Sequence, residues 1–423
     1  MLSGWGRYPM VSVTEIFPRD AGAISKIIHE PFTARGLGRS YGDASLPRMN
    51  YQSLNTQKLN RMLSFNPSSG VLDAESGVTL EAILAVSIPR GFFLPVTPGT
   101  VHVTLGGALA SNVHGKNHHR RGSIEHFVLE LEVMTSVGNK ICSPTLLPEL
   151  FKATVGGYGL TGLITRAKLQ LKSIHNENVE VLRIKAPDLQ SLFQLFKKYD
   201  AQYEYSVAWI DCLARGNSMG RGILMLGNHS ASPKDSQESI PHSQRAMRSK
   251  SSKGSKLTLP AMRIPFPMPR FFLNRWFLTL FNQLFYSLAS KKEKSTTENF
   301  RPYFYPLDAL ENWNLLYGRD GFFQYQCVIP DPQSETGIAA CLEFLSGEGV
   351  GAFLSVLKRC GDDNVLLPFC KKGYTLALDI PFRGEVTLRL LDKLDELVLT
   401  FQGRVYLTKD ARLSPVTFRK MYP

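Results

Sequence analysis

The chain has 423 residues, 43% hydrophobic and 20% charged. That is long enough for two or more domains with cores of their own and too apolar for a disordered polymer. The net charge of +13 suits a polyanionic partner. No zinc-finger spacing, basic zipper or RNP aromatic pattern accompanies it, so phosphorylated small molecules or an anionic membrane surface explain the charge as well as nucleic acid does.

From residue 10 to about 175, short β-rich runs alternate with glycine turns. "GVLDAESGVTLEAILAVSIPRGF" carries an amphipathic helix over Leu80 to Ile88, and "HFVLELEVMTSVGNKI" and "GLTGLITRAKLQLKSI" read as strands, the pattern of an α+β domain. After Ser173 the texture changes. "VEVLRIKAPDLQSLFQLFKKYDAQYEYSVAWIDCLA" reads as strand, helix, strand, and the unit recurs in "GFFQYQCVIPDPQSETGIAACLEFLSGEGVGAFLSVLKRCG". A last strand and helix follow in "YTLALDIPFRGEVTLRLLDKLDELVLTFQGRVYL", whose stripe of Val386, Leu390, Leu394 and Val398 marks core. Strand-helix-strand units of this kind build an antiparallel sheet. Between them, residues 228–258 are serine- and lysine-rich with little to bury and predict a flexible loop. The following "LPAMRIPFPMPRFFLNRWFLTLFNQLFYSLASKKEK" is crowded with aromatics. Its uncharged run, Trp276 to Ser290, falls short of the ~20 residues that cross a bilayer. It fits equally a helix lying in a membrane interface, with Arg263, Arg270 and Arg275 toward headgroups, and a buried helix.

The six cysteines, Cys142, Cys212, Cys327, Cys341, Cys360 and Cys370, include no C-x-x-C pair and read as buried thiols in a reducing compartment. "MLSGWGRYPMVS" lacks a basic stretch leading into an apolar one, so no signal peptide is expected and the location predicted is cytoplasmic, with peripheral contact to the inner membrane face.

"GLGRSYGD", Gly36 to Asp43, looks like a dinucleotide-binding glycine loop one residue too long. A Rossmann loop must open a helix and be followed by an acid ~20 positions on. Here proline, asparagine and serine follow, and the next carboxylates are Asp73 and Glu75. The Rossmann reading fails, but backbone N–H groups of a glycine turn still cradle phosphate without a helix, with Arg35 and Arg39 supplying charge. Two further glycine segments, Pro95 to His119 and Ala153 to Thr165, suggest one extended ligand threaded through the first domain.

"RGLGRSYGD", "PGTVHVTLGGALASNVHGKNHH", "VGGYGLTGLI" and "YLTKD" together resemble the vanillyl-alcohol-oxidase type of FAD-dependent oxidoreductase. More narrowly they resemble the decaprenylphosphoryl-β-D-ribose 2'-oxidase family, related to D-arabinono-1,4-lactone oxidases. The resemblance spans the chain. It implies an α+β FAD-binding domain of two subdomains over residues 1–175, and a substrate domain with a large antiparallel sheet over 176–400. A flexible basic and aromatic insert is placed at 216–300, and residues 401–423 return to the FAD domain. The chain ends at "FRKMYP" without the C-terminal helix and "DP…F" segment usual in the superfamily, which points to truncation.

By the same resemblance, FAD is held by Ala34, Arg35, Gly36, Leu37, Gly38, Arg39, Ser40, Tyr41, Gly42, Asp43 and Ala44 around the pyrophosphate. Gly99, Thr104, Leu105, Gly106, Gly107, Ser111, Asn112, Val113, His114 and Ile164 line the rest, and Tyr406 touches the flavin. The lactone oxidases carry a flavin-linking histidine where Arg39 stands; arginine cannot form that bond, so FAD is expected to be non-covalent. The implied reaction is oxidation of C2' of a polyprenyl-phosphoryl ribose by hydride transfer to flavin N5, with a short-chain NAD(P)H-dependent keto-reductase as partner. Lys409 matches the family's active-site lysine, and Tyr41, His114 and Lys116 complete the catalytic candidates; Gln326, Lys358 and Lys409 are the substrate candidates. By the resemblance, Lys409 is expected to stabilise the reduced flavin or polarise the substrate oxygen. No metal is expected, because His118 and His119, taken as neighbours on one strand, would point to opposite faces. Trp209 reads as core. Two departures bear on the substrate: Ala377 stands where the family has its cysteine, and Phe304 where a tyrosine is expected. An aldonolactone or polyol remains the alternative substrate, and a non-catalytic basic protein binding membrane or nucleic acid the alternative class.

Overall fold

The computed structural model describes residues 1–27, 31–48, 51–231, 262–269, 273–289, 293–352 and 354–423. Helix starts follow side-chain caps. Thr79 Oγ1 accepts from the Ala82 N–H at 3.1 Å to begin Leu80–Ser87, and Asp188 accepts from the Ser191 N–H at 2.7 Å to begin Leu189–Tyr199. The second helix buries Leu189, Leu192, Phe193, Phe196 and Tyr199 and leaves its lysines outward.

Up to about residue 175, beside the two-stranded pairings of Leu2–Ser3 with Met10–Val11 and of Phe92–Phe93 with Lys172–Ser173, the chain forms two larger sheets. Glu15–Ile16, Gln52–Asn55 and Phe32–Arg35 form a parallel three-stranded sheet, and the glycine loop follows directly from Phe32–Arg35 without opening a helix. Gly138–Cys142, Val128–Thr135, Leu163–Gln170, Val71–Glu75 and Met62–Phe65 form an antiparallel five-stranded sheet.

The rest of the chain is built on an antiparallel eight-stranded sheet. Its order is Lys294–Asn299, Asn178–Ala186, Gly222–His229, Tyr205–Ile210, Ser355–Cys360, Gly373–Pro381, Phe322–Pro330 and Arg404–Val405. The two strand-helix-strand units meet at its centre, where Ala208 faces Leu357 and Trp209 faces Val356. Strand side chains alternate between faces. Ala208, Ile210, Phe323, Tyr325, Cys327, Leu357, Leu376 and Leu378 share one core with residues of Leu189–Tyr199, Ser334–Gly347 and Glu385–Thr400. The alternate residues, Val207, Trp209, Gln324, Gln326, Val356, Lys358 and Ala377, line a cavity on the other side.

Three expectations need adjustment. The insert placed at 216–300 is narrower, because Gly222–His229 and Lys294–Asn299 are strands of the large sheet. The flexible loop assigned to 228–258 lies, beyond residue 231, outside the described residues, as does Arg270. A terminal helix does exist: Ser414 accepts from the Thr417 N–H at 3.0 Å to start Pro415–Met421, and the Tyr422 hydroxyl donates to the Val405 carbonyl at 2.6 Å. Among the described residues no helix is long and apolar enough to cross a membrane.

The return of residues 404–410 packs against the glycine loop. A Cβ on Gly42 would lie 1.7 Å from the Asp410 carbonyl oxygen. Gly42→Ala is therefore expected to lower stability by about 1–3 kcal/mol through forced backbone displacement, read as a reduced urea midpoint with an unchanged slope.

Candidate active site

A cavity of about 560 Å³ lies between the polar face of the eight-stranded sheet and the glycine segments of the first domain. Ala34, Arg35, Gly36, Leu37, Gly38, Arg39, Ser40, Tyr41 and Ala44 form one wall. Gly99, Thr104, Gly106, Gly107, Ser111, Val113, His114, Lys116 and Ile164 form another. Gln326, Lys358, Tyr406 and Lys409 close it from the sheet and the C-terminal return. Four expected cofactor residues are not in the wall. Gly42 and Asp43 turn against residue 410, Leu105 is fully buried in the core, and Asn112 is bonded to Glu125.

The loop is suited to an anionic, extended ligand. The backbone N–H groups of Leu37, Gly38, Arg39 and Ser40 donate to no acceptor among the described residues, leaving consecutive donors for a pyrophosphate. Arg35 is not the phosphate ligand expected, since its guanidinium donates to the Ser3 carbonyl at 2.7 Å and Ser45 Oγ at 3.2 Å and pairs with Glu15 at 3.6 Å. Arg39 stacks its guanidinium 4.0 Å from the Trp5 ring centre, and burial lowers its pKa. Thr104 caps Leu105–Ala110 by accepting from the Gly107 N–H at 3.3 Å.

His114 sits among Tyr406, Phe369 and His118, with ring centres 5.0, 5.4 and 6.2 Å away. Thr375 Oγ1 donates to the Cys327 carbonyl at 2.8 Å, so it accepts from Gln326 Nε2 at 3.0 Å. The same amide nitrogen therefore donates to His114 Nε2 at 2.9 Å, and the proton of the neutral ring rests on Nδ1. Burial, reinforced by Lys358, His118 and Lys409, holds the His114 pKa well below its usual value. Its Nδ1 is buried without a partner, as is Ser76 Oγ on the same cavity wall. Orphaned donors beside a glycine-lined slot fit the polar edge of a bound cofactor.

Lys409 donates to Gln324 Oε1 and lies 5.2 Å from the Tyr41 ring centre. Gln324 Nε2 donates in turn to Asp379 Oδ1 at 2.6 Å, and the Tyr317 hydroxyl donates to Oδ2 at 3.2 Å. Desolvation and the neighbouring Lys358 bring Lys409 down to about 7, while burial raises Asp379 to about 7. Tyr41 is pushed well up, mainly by burial, so it stays a neutral hydroxyl. Lys358 is also lowered by burial and has no hydrogen-bond or ion-pair partner among the described residues. Lys116, expected in proton transfer, is instead directed at backbone: its ammonium donates to the carbonyls of Tyr303 and Phe304 and lies 4.7 Å from the Tyr303 ring centre. It straps Phe300–Phe304 over the first domain.

Sequence reasoning missed Gln324 and Asp379, which carry no motif and meet Lys409 only through the pairing of Phe322–Pro330 with Gly373–Pro381. Trp209 is buried as expected but also lines the cavity, packed 4.8 Å from the Phe285 ring centre. The strand assigned to the paired histidines is a helical turn, His118–Arg121. This removes the argument against a metal there, and His118 lies with Cys360 and Cys370 in a cluster whose ligand atoms are all within 4.8 Å of one another.

Fold and cavity together define an FAD-dependent oxidoreductase of the vanillyl-alcohol-oxidase type. An FAD binding domain family matches residues 16–141, and FAD is the cofactor. The Physcomitrella patens protein BBE-like 1 shares the fold with a TM-score of 0.64 at 14% identity, covering 96% of this chain and 85% of that one. The chain is 30% identical over 438 residues to decaprenylphosphoryl-beta-D-ribose oxidase of Mycolicibacterium smegmatis, covering all of this chain and 91% of the relative. It is 27% identical over 134 residues to probable L-gulonolactone oxidase 4 of Arabidopsis thaliana, 30% of this chain and 23% of that protein. The protein belongs to the decaprenylphosphoryl-β-D-ribose oxidase family.

The depressed lysine gives a stability signature. The unfolded chain holds the Lys409 proton to about 10.5, the fold only to about 7, so between these values the unfolded state binds more protons and folding gains as pH rises. Relative to Lys409→Met, the parent should gain stability from pH 7 to 10 in urea titrations.

Proposed function

We propose that the enzyme oxidises the C2' secondary alcohol of a polyprenyl-phosphoryl ribose to the ketone, in cell-envelope sugar synthesis. The observation that carries the reading is one continuous path. Lys409 and Lys358 stand in the cavity, Trp209, Phe281 and Phe285 line its apolar side, and the helix Arg275–Leu288 continues outward with Trp276, Leu280, Leu284 and Leu288 exposed. A phosphate suits the unpartnered Lys358, a sugar the polar sheet face, and a prenyl chain the aromatic side. The relative's name supplies the same substrate class.

Bound FAD supplies the two-electron acceptor for such an oxidation. The chain's own part is positioning and proton handling. Leu37 to Ser40 would hold the pyrophosphate, and His114 and Ser76 would meet the cofactor's polar edge. Lys409, neutral above about pH 7, would accept the hydroxyl proton, while Gln324 fixes its direction and Asp379 sets its basicity. Arg39 in place of a linking histidine supports non-covalent FAD. The helix Arg275–Leu288 would rest against the inner membrane face, and the keto sugar would pass to a short-chain NAD(P)H-dependent reductase.

Flavin release, substrate reduction and variant kinetics test this. Acid precipitation should release the flavin into the supernatant; flavin retained on the protein pellet contradicts non-covalent binding. A short-chain polyprenyl-phosphoryl ribose should bleach the flavin spectrum under anaerobic conditions, whereas bleaching by an aldonolactone alone would favour the lactone-oxidase reading. Lys409→Met should lower kcat by about 10²–10³-fold. The parent's kcat/KM should fall as pH drops through about 7, as Lys409 takes up a proton. Because the Asp379 carboxylate raises the Lys409 pKa, Asp379→Asn should move that limb to lower pH.

A further inference from the structure

Behind His114, away from the proposed chemistry, lies a buried cluster with no part in it. Cys360 ends the strand Ser355–Cys360 and Cys370 stands shortly before Gly373–Pro381, so one hairpin carries both thiols. His118 comes from the short helix His118–Arg121 of the first domain. All three are buried, and their ligand atoms lie within 4.8 Å of one another.

The surroundings set the histidine for coordination. Its Nε2 lies 3.0 Å from Asp363 Oδ1 and 3.0 Å from Ser123 Oγ, and the Ser123 hydroxyl donates to the same carboxylate oxygen at 2.6 Å. An ionised carboxylate only accepts, so Nε2 carries the ring proton. Nδ1 then holds the lone pair and accepts from the Gly361 N–H at 2.9 Å. Asp363 Oδ2 also accepts from the Cys370 N–H at 2.7 Å, so one carboxylate orients both the histidine and the hairpin. A carboxylate behind one ring nitrogen, with the lone pair of the other left as the donor, is the usual outer sphere of a metal-binding histidine.

We propose that Cys360 Sγ, Cys370 Sγ and His118 Nδ1 form a binding site for a thiophilic cation of the zinc class, which clips the hairpin of the substrate domain to the FAD domain. With Zn–S near 2.3 Å, tetrahedral ligand atoms stand roughly 3.8 Å apart, a small contraction of the arrangement present. Coordination exchanges the Gly361 hydrogen bond for a metal–nitrogen bond, and the two thiol protons leave to solvent as the thiolates bind, so the ion's two positive charges replace the two protons lost and the site's net charge is unchanged. Asp363 stays in the outer sphere because both of its oxygens are already engaged. Two thiolates and an imidazole select Zn(II) over Mg(II) or Ca(II), which take oxygen ligands.

The test uses the full-length flavoprotein, loaded with Zn(II) and desalted, with metal content by plasma mass spectrometry and flavin content by absorbance on the same sample. About one zinc per chain is expected, unchanged in Cys142→Ser and lost in the Cys360→Ser, Cys370→Ser double variant. Asp363→Asn should weaken zinc affinity by about 10–100-fold. Should the double variant fail to fold, zinc-edge X-ray absorption on the unaltered protein decides: two sulfurs and a nitrogen around zinc support the site, and a shell without sulfur overturns it. Background zinc in the loaded parent, or a Cys360–Cys370 disulfide in peptide maps of freshly isolated protein, also overturns it. Flavin content is read separately, so loss of FAD binding is not confused with loss of the metal.

Discussion

The return of residues 404–410 is the interaction on which the site depends. Arg404–Val405 pairs with Phe322–Pro330 as the last strand of the large sheet, and the Tyr406 N–H donates to the Gln326 carbonyl at 2.9 Å. Then the chain crosses to the other domain. The Tyr406 hydroxyl donates to the Ser111 carbonyl at 2.7 Å, and the Asp43 N–H to the Asp410 carbonyl at 3.3 Å. One short segment thus registers the substrate sheet against both the glycine loop and the Leu105–Ala110 helix. Lys409 lies within it, so the residue proposed for proton transfer is placed by the same contacts that join the domains. Tyr422, bonded to the Val405 carbonyl, holds the segment from behind.

A second constraint is the crowding of cationic side chains in a desolvated space. Burial lowers the pKa of Lys116, His114 and Lys409, and Lys358 lowers each of them further. Three lysines in one cavity resist full protonation, since like charges at low dielectric repel and no water shell offsets them. Lys116 meets this with two carbonyls and two aromatic faces, and Lys409 with Gln324 and, through it, Asp379. Among the described residues Lys358 has no such arrangement, so an anionic ligand would offset the charge repulsion as well as fill the cavity.

The parts legible in the sequence were those written locally. The α+β first domain, the recurring strand-helix-strand units, the long helix Glu385–Thr400 and the absence of a helix after "GLGRSYGD" all follow from period and turn residues. The glycine segments and Lys409 also reach one cavity, because motif resemblance carries tertiary information. What stayed hidden depends on pairings far apart in the chain. Gln324 and Asp379 are ordinary polar residues until strand register sets them opposite each other. Lys116 resembles a catalytic lysine until Tyr303 and Phe304 arrive beneath it from the helix Phe300–Phe304. His118 was misread because "NHH" carries no helical period over so short a turn, and Cys360 and Cys370 looked scattered because their partner lies in the other domain.

Register also explains how the departure at Ala377 is accommodated. On Gly373–Pro381, Ala377 stands opposite Gln326 on one side and Val356 on the other, all three facing the cavity. A methyl at this crossing is the smallest side chain that keeps the alternation, so it opens room between the amide that fixes His114 and the valine beside Lys358. A cysteine there would narrow that gap and place a thiol against the ligand. With alanine, selectivity falls instead to the rigid neighbours: Gln326, held by Thr375 and His114, and Trp209, held by Phe285. The polar group and the aromatic wall lie to either side of the same small residue, so the cavity offers its polar and apolar surfaces at different positions along the sheet.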